Sequence, residues 1–229
     1  MNKQALYKTF SRTRRFVVEG LLWRGEARCY ALVVWALLAG LLWVAINLSI
    51  DSAAVWLLLP WQLFLVASLA AVAAIDARFA IIPDPLIGAL LLGGVLHVAV
   101  EGARGVGGLA DASDALTLEL GVIGWRGGEG LIAFGGAALL RGGYRVLRGR
   151  DGFGFGDVKF IGAAALWVGV AMVPLMLIVA VLSALGTVVL LRRQVGPLGG
   201  GDAIPFGPHL SVGLWLTVLM AGEIGTSSW

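Results

Sequence analysis

The sequence is poor in the residues that bind metals and form disulfides. It contains one cysteine, Cys29, and two histidines. A single cysteine cannot form a disulfide within the chain or a multi-thiolate zinc site, so it does not indicate a redox compartment. Two histidines without a neighbouring cluster fall short of a zinc ligand set. The sequence therefore predicts no metal site, and we expect no cofactor.

Charge is also scarce. Charged residues make up 14% of the sequence and hydrophobic residues 59%, and the mean hydropathy is +0.91. A soluble domain could not bury this much apolar sequence. A bilayer core about 30 Å thick is crossed by roughly 20 helical residues. The composition therefore predicts an all-α, polytopic membrane bundle of about seven transmembrane helices, within a range of about six to eight.

The long apolar runs divide the chain into two parts. Residues 1–28 form a basic N-terminal segment suited to an anionic membrane surface, and residues 29–229 form one membrane-embedded domain. Because the basic residues flank apolar runs, they indicate membrane topology, and nucleic-acid binding is not expected. The predicted spans lie near residues 29–49, 53–75, 84–100, 128–147, 158–172, 174–191 and 207–223.

The distribution of Lys and Arg predicts the orientation of these spans. With the N-terminus in the cytoplasm, fifteen of the seventeen basic residues fall on the cytoplasmic side. The remaining two, Arg104 and Arg126, lie in a predicted outer loop over residues 101–127. Cytoplasmic loops carry an excess of Lys and Arg. We therefore expect a cytoplasmic N-terminus and an external C-terminus.

Two aspartates lie at span ends on the cytoplasmic side of this topology. Asp76 follows the second span and Asp157 begins the fifth, 81 residues later. Either acid alone is most simply a boundary residue in the headgroup region. Two neighbouring carboxyls, however, can share one proton and so provide an acid and a base together. The sequence does not decide which aspartate is the acid and which is the base.

Two glycines precede the second aspartate in the sequence Gly-Phe-Gly-Asp-Val-Lys. Gly154 and Gly156 permit close backbone approach, so an extended substrate strand could lie beside Asp157. The motif lacks the further spacing of a dinucleotide or Walker loop, so no nucleotide site is predicted. Lys159 points to a different helix face from Asp157, and we assign it to a contact with lipid phosphate or substrate.

Three sequence blocks together resemble the type IV prepilin peptidase family of membrane aspartic peptidases. Asp76 stands seven residues before Pro83 in an Ile-Pro-Asp sequence, and the second block is the complete Gly-x-Gly-Asp-x-Lys motif. The third block is Ile-Pro-Phe-Gly-Pro, which contains Pro205 and leads into the last span. Order, spacing and membrane side agree over residues 53–223.

This resemblance implies a bacterial inner-membrane enzyme that removes the leaders of type IV prepilins and pseudopilins of type II secretion at the cytoplasmic face. It implies that Asp76 and Asp157 are catalytic. It further implies substrate-positioning roles for Gly154, Gly156, Lys159, Pro83 and Pro205. The expected partners are the prepilin substrate, with its leader and apolar helix, and membrane lipids. Family members that also methylate the product carry paired Cys-x-x-Cys motifs, so we expect a peptidase without N-methylation.

Two alternative functions remain. A presenilin-like intramembrane aspartic peptidase shares Gly-x-Gly-Asp, but its first aspartate follows tyrosine, whereas Asp76 follows Ile75. An ion- or proton-coupled transporter would place its acids near the middle of the bilayer.

Three further polar residues have structural interpretations. Asp84 is predicted to cap the third span with Pro85 at the first helical position. His209 is predicted to be a hydrogen-bonded histidine at a helix start, and His97 to pack between helices and hydrogen-bond across them.

Overall fold

The computed structural model describes residues 52–105, 112–149, 152–195 and 204–225. These residues form α-helices joined by short connections, with one turn of 3-10 helix at Val170–Met172 and no strand within the described ranges. The helices are α1 (Ser52–Phe79), α2 (Asp84–Gly105), α3 (Ala112–Arg148), α4 (Phe155–Val168), α5 (Val173–Val195) and α6 (Gly207–Gly225).

Six of the seven predicted spans coincide with these helices, and the first, at 29–49, lies outside the described residues. The prediction for the fourth span needs correction. It was expected at 128–147 after a loop over 101–127, but α2 continues to Gly105 and α3 begins at Ala112. Residues 112–127 contain no proline and several strong helix formers. A search for apolar runs misses this extension, because Asp114, Glu119 and Arg126 interrupt it.

The helix α4 lies at the centre of the bundle. It packs against α2, α3 and α6, and nearly all of its residues from Asp157 to Val168 are buried. Its 14 residues span about 21 Å. The indole of Trp167 donates a 3.0 Å hydrogen bond to the carbonyl oxygen of Leu90 on α2, and the ring of His97 stacks on it at 5.1 Å. The predicted packing of His97 between helices is therefore confirmed, and its interhelical hydrogen bond stays a prediction.

Proline and glycine shape the helix ends near the two aspartates. The carbonyl of Pro83 accepts hydrogen bonds from the amides of Leu86 and Ile87, so α2 begins at Asp84. The prediction that Asp84 caps this helix is wrong by one position, since Pro83 occupies the cap and the side chain of Asp84 pairs with Lys159. The carbonyl of Phe206 starts α6 in the same way.

The outer surface of the bundle is apolar. Among the described residues, Pro60–Phe79 and Val170–Leu190 are long and apolar enough to cross a membrane. In the most apolar 18-residue stretch of each helix, only 33% and 17% of the residues are buried in the bundle. Core helices of a soluble protein are mostly buried. Large hydrophobic side chains on several helices are exposed, including Leu92, Leu131, Leu139, Ile178 and Leu182. Such a surface is satisfied by lipid.

Candidate active site

Asp76 lies in the last turn of α1, where it meets the start of α6. Its side chain is 4% exposed, and the backbone amide of Gly207 donates a 2.7 Å hydrogen bond to its Oδ2. A Cβ added at Gly207 would lie 2.7 Å from that oxygen and 2.8 Å from Cγ, closer than real contacts allow. Only glycine at this position lets the positive end of α6 approach the carboxylate this closely.

Asp157 is the third residue of α4, and its carboxyl folds back onto the start of its own helix. The backbone amide of Gly154, at the N-cap, donates a 2.9 Å hydrogen bond to Oδ2. This is half of the reciprocal capping arrangement that an acidic residue makes at the third helical position. The carboxyl is therefore held by its own helix start, and the residue is 7% exposed.

The two aspartates line one cavity of about 1000 Å³. Its walls come from α3, α5, the start of α4 and the segment before α6, and apart from the two carboxyls and Arg141 they are predominantly apolar. Several lining residues are also exposed on the outer surface, among them Ile132, Leu140 and Val181. The cavity is thus large enough for a short stretch of peptide and reaches the apolar surface of the bundle.

The cavity changes the acidity of Asp157, which directly precedes the predicted span at 158–172. Burial raises the pKa of its carboxyl to about 6; the hydrogen bond from Gly154 opposes this rise, and the neighbouring Asp76 carboxyl adds to it. A carboxyl in this state changes protonation near neutral pH, as a general acid or base requires. Both carboxyls line the same cavity, as a proton-sharing pair requires.

Three of the five motif residues predicted to lie near the acids line this cavity, and Pro83 and Lys159 do not. Pro205 and both glycines of the Gly-x-Gly motif line the cavity. A Cβ on Gly156 would lie 3.1 Å from the Cβ of Ile82, so this glycine lets the start of α4 pack against the segment before Pro83. All three sequence blocks therefore meet at one end of the bundle.

Lys159 is turned away from the carboxyl pair. Its Nζ lies 2.6 Å from Oδ1 of Asp84 and 5.2 Å from the centre of the Phe155 ring. The ion pair joins α4 to the start of α2, and Lys159 is not among the residues that line the cavity. A contact with lipid phosphate or substrate stays a prediction for this side chain.

His209 has the structural position predicted for it. It is the third residue of α6, 8% exposed, and its Nδ1 lies 2.9 Å from Oγ of Ser183 on α5. The prediction of a hydrogen-bonded histidine at a helix start is confirmed.

Sequence reasoning did not identify the site contacts of three residues. Gly207 was noted only as part of a motif and Ala80 not at all. Arg141 was expected either to reach the cytoplasmic surface or to line a wet cavity, and the second is confirmed, but its contact beside Asp157 was not foreseen. Ala80 has a positive φ of 55° and its amide donates to the carbonyl of Asp76 at 2.7 Å, ending α1 directly after the acid. The signal for Gly207 was present, because a glycine between Phe206 and Pro208 at a helix start suggests a close approach.

The comparisons with known proteins agree with this geometry. Two buried carboxyls line one cavity of a helical bundle whose outer surface is apolar. Residues 63–191 match the sequence profile of the type IV leader peptidase family, and the chain belongs to that family.

Relatives with the name "Prepilin leader peptidase/N-methyltransferase" match between 37% and 80% of the chain. The protein from Dickeya chrysanthemi is 34% identical over 80% of this chain and 56% of its own. The one from Stutzerimonas stutzeri is 30% identical over 77% of this chain and 53% of its own. The one from Pseudomonas putida is 37% identical over 37% of this chain and 29% of its own. The chain thus spans about half the length of these relatives or less. No solved structure matches it.

Proposed function

We propose that this protein hydrolyses the leader peptides of type IV prepilins or pseudopilins, using Asp76 and Asp157 as its catalytic pair. The observation that carries the proposal is that these two aspartates, 81 residues apart in sequence, are both buried and line the same cavity. Membership of the type IV leader peptidase family and the names of the relatives support the choice of substrate.

The proposed reaction uses the two carboxyls and one water. The ionised carboxyl accepts a proton from the water, whose oxygen attacks the scissile carbonyl carbon while the protonated carboxyl donates a hydrogen bond to the carbonyl oxygen. The resulting tetrahedral intermediate breaks its C–N bond as the amine leaving group takes a proton from a carboxyl. One carboxyl is again ionised and the other protonated at the end of the cycle.

The cavity suits a substrate that is itself a membrane protein. Its predominantly apolar walls and its access to the outer surface favour lateral entry of a peptide joined to an apolar helix. The leader and the scissile bond would then lie beside the carboxyls, at the end of the bundle where the three motif blocks meet.

The topology completes the proposal. We place the chain as a multi-pass protein of the bacterial inner membrane, with residues 1–28 as a basic cytoplasmic segment and residues 29–229 as the membrane-embedded peptidase domain. About seven spans and a cytoplasmic N-terminus follow from the positions of the basic residues, and they put the carboxyl pair on the cytoplasmic side. Reporter fusions to the segments 106–111 and 196–203 test this: the first is expected outside and the second inside.

The activity proposed for these 229 residues is leader removal without methylation. The support is their single cysteine, Cys29, which cannot supply the paired Cys-x-x-Cys motifs linked to methyl transfer. Incubation with a prepilin and labelled S-adenosylmethionine should give a cleaved, unlabelled product. A labelled N-terminus would contradict this part of the proposal.

The central test is cleavage of a prepilin by the purified chain in detergent or vesicles, with wild type, Asp76→Asn and Asp157→Asn compared. Each substitution keeps the shape of the side chain and removes the titratable group, so cleavage should fall by about 10³-fold or more, to background. Persistent cleavage by either variant at a rate near wild type would refute the assignment.

Glu129→Gln provides the matched control. Glu129 is a partly buried carboxylate that pairs with Arg126 at 3.2 Å, and neither residue lines the cavity. Loss of its charge should leave cleavage within about threefold of wild type, because it lies outside the reacting groups. If Glu129→Gln lost as much cleavage activity as the aspartate variants, the losses in all three would reflect general disruption of the bundle.

A further inference from the structure

One peptide group beside the active site is held from both sides. The Nε of Arg141 on α3 donates a 3.0 Å hydrogen bond to the carbonyl oxygen of Phe153. The next amide, that of Gly154, donates the 2.9 Å hydrogen bond to Oδ2 of Asp157. That carbonyl and that amide belong to the same planar peptide unit. The guanidinium of Arg141 therefore binds the carbonyl of this peptide unit, and the amide of the same unit binds the carboxyl of Asp157.

This arrangement has two physical consequences. First, a trans peptide directs its C=O and N–H in opposite directions, so fixing the oxygen also fixes the direction of the N–H. Glycine at position 154 would otherwise let the peptide rotate at little steric cost. Second, a charged donor on the oxygen polarises the peptide and strengthens its N–H as a donor.

A second contact of Arg141 also favours this position of its guanidinium. Its Cζ lies 5.7 Å from the centre of the Phe155 ring, a distance typical of a cation–π contact. Phe155 in turn packs edge-on against Phe134 of α3, with ring centroids 6.2 Å apart. Arg141 also lines the cavity and is only half exposed. It therefore connects α3 to the segment that leads into α4 and Asp157.

We propose that Arg141 is a positioning residue of the active site, which holds the Phe153–Gly154 peptide in the orientation that lets Gly154 bind the carboxyl of Asp157. The inference rests on the proposed function, because it concerns the same carboxyl pair. Arg141 does not act on substrate in this role. It acts through the peptide on the geometry and acidity of Asp157.

The test compares Arg141→Met and Arg141→Lys with Arg148→Met in the prepilin cleavage assay. Arg148 lies on the same helix, is exposed and lies outside the cavity lining, so it is the matched control. Methionine keeps the unbranched apolar stem of arginine but has no donor. Arg141→Met should lower kcat on the order of 10- to 100-fold, the equivalent of one hydrogen bond to a charged group. KM should stay within about threefold.

The pH profile separates positioning from a merely structural role. Among the residues that the structure describes, the charged side chains lining the cavity with Asp157 are Asp76 and Arg141, and Lys159 of the same helix pairs with Asp84. Loss of the Arg141 contact weakens the donor to ionised Asp157 and removes a nearby cation. The pKa of that carboxyl should therefore rise further, and the limb of the kcat profile near pH 6 should move to higher pH.

Arg141→Lys should give an intermediate kcat and an intermediate shift, because lysine keeps the charge but lacks the rigid planar donor. Arg148→Met should match wild type. If Arg141→Met only reduces the amount of folded enzyme and leaves the pH profile unchanged, the proposal is wrong. If Arg141→Met does not fold, Arg141→Lys decides, since an unchanged profile there overturns it equally. Activity of Asp157→Asn would instead refute the proposed function, so the two failures are distinguishable.

Discussion

The two aspartates of this protein are held by the same kind of contact made over very different distances along the chain. Each carboxylate accepts a hydrogen bond from the backbone amide of a glycine at a helix start. For Asp157 the donor is Gly154, three residues earlier, and for Asp76 it is Gly207, 131 residues later. The first contact forms when a single turn of helix folds. The second exists only after α1 and α6 have packed together.

This difference places different demands on the two glycines. At Gly154 the backbone has φ −68° and ψ 155°, which any residue can adopt, and an added Cβ would lie 3.3 Å from Oδ2 of Asp157. At Gly207 an added Cβ would lie 2.7 to 2.8 Å from three atoms of Asp76. The local contact tolerates a small change, whereas the tertiary contact does not. Alanine substitutions at the two glycines test that contrast.

The largest effect is expected for Gly207→Ala. The new methyl group must push the carboxyl of Asp76 away from its position or separate α6 from α1, and a misplacement of about 1 Å can cost about 100-fold in rate. We expect kcat for prepilin cleavage to fall by about that factor. Gly186→Ala on α5 is the control, because a Cβ there meets nothing within 4 Å. Wild-type kcat in Gly207→Ala would show that the α6 contact does not position Asp76.

A smaller effect is expected for Gly154→Ala. Only a shift of a few tenths of an ångström is needed at this position, so kcat should fall by about tenfold or less, equivalent to about 1.4 kcal/mol of activation free energy. The measurement is the same cleavage assay, run in parallel with Gly207→Ala. A loss greater than that in Gly207→Ala would reverse the contrast between the local and the tertiary contact.

The smallest effect is expected for the ion pair between Lys159 and Asp84. The side chains of these residues are 31% and 75% exposed, so solvent screens their attraction. Such pairs contribute about 0 to 1 kcal/mol to stability. Thermal unfolding of Lys159→Met, Asp84→Asn and the double variant in detergent should therefore give a coupling free energy below about 1 kcal/mol. A larger coupling would mean that this pair is a major link between α2 and α4.

Much of the fold was predictable because hydropathy and proline placement are local properties of the chain. Six predicted spans coincide with helices of the structure, and both proline-rich entries, which contain Pro83 and Pro205, lead directly into helices as expected. The start of α3 was mispredicted because charged residues in its first turns, Asp114 and Glu119, interrupt the apolar run by which a membrane span is recognised. The N-cap of α2 was predicted one residue too late. A capping rule considers only neighbouring residues, whereas the side chain of Asp84 pairs with Lys159 on another helix.

The sequence by itself determined the helical class, the candidate acids and the immediate surroundings of Asp157, since apolar runs and a glycine three residues before an acid act within one helix or one turn. Only the tertiary structure decided that Asp76 and Asp157 line one cavity, that Gly207 binds Asp76, and that Arg141 holds the peptide beside Asp157. Those contacts join residues on different helices, and they depend on how close the helices approach and how they are rotated. No local pattern in the chain records that information.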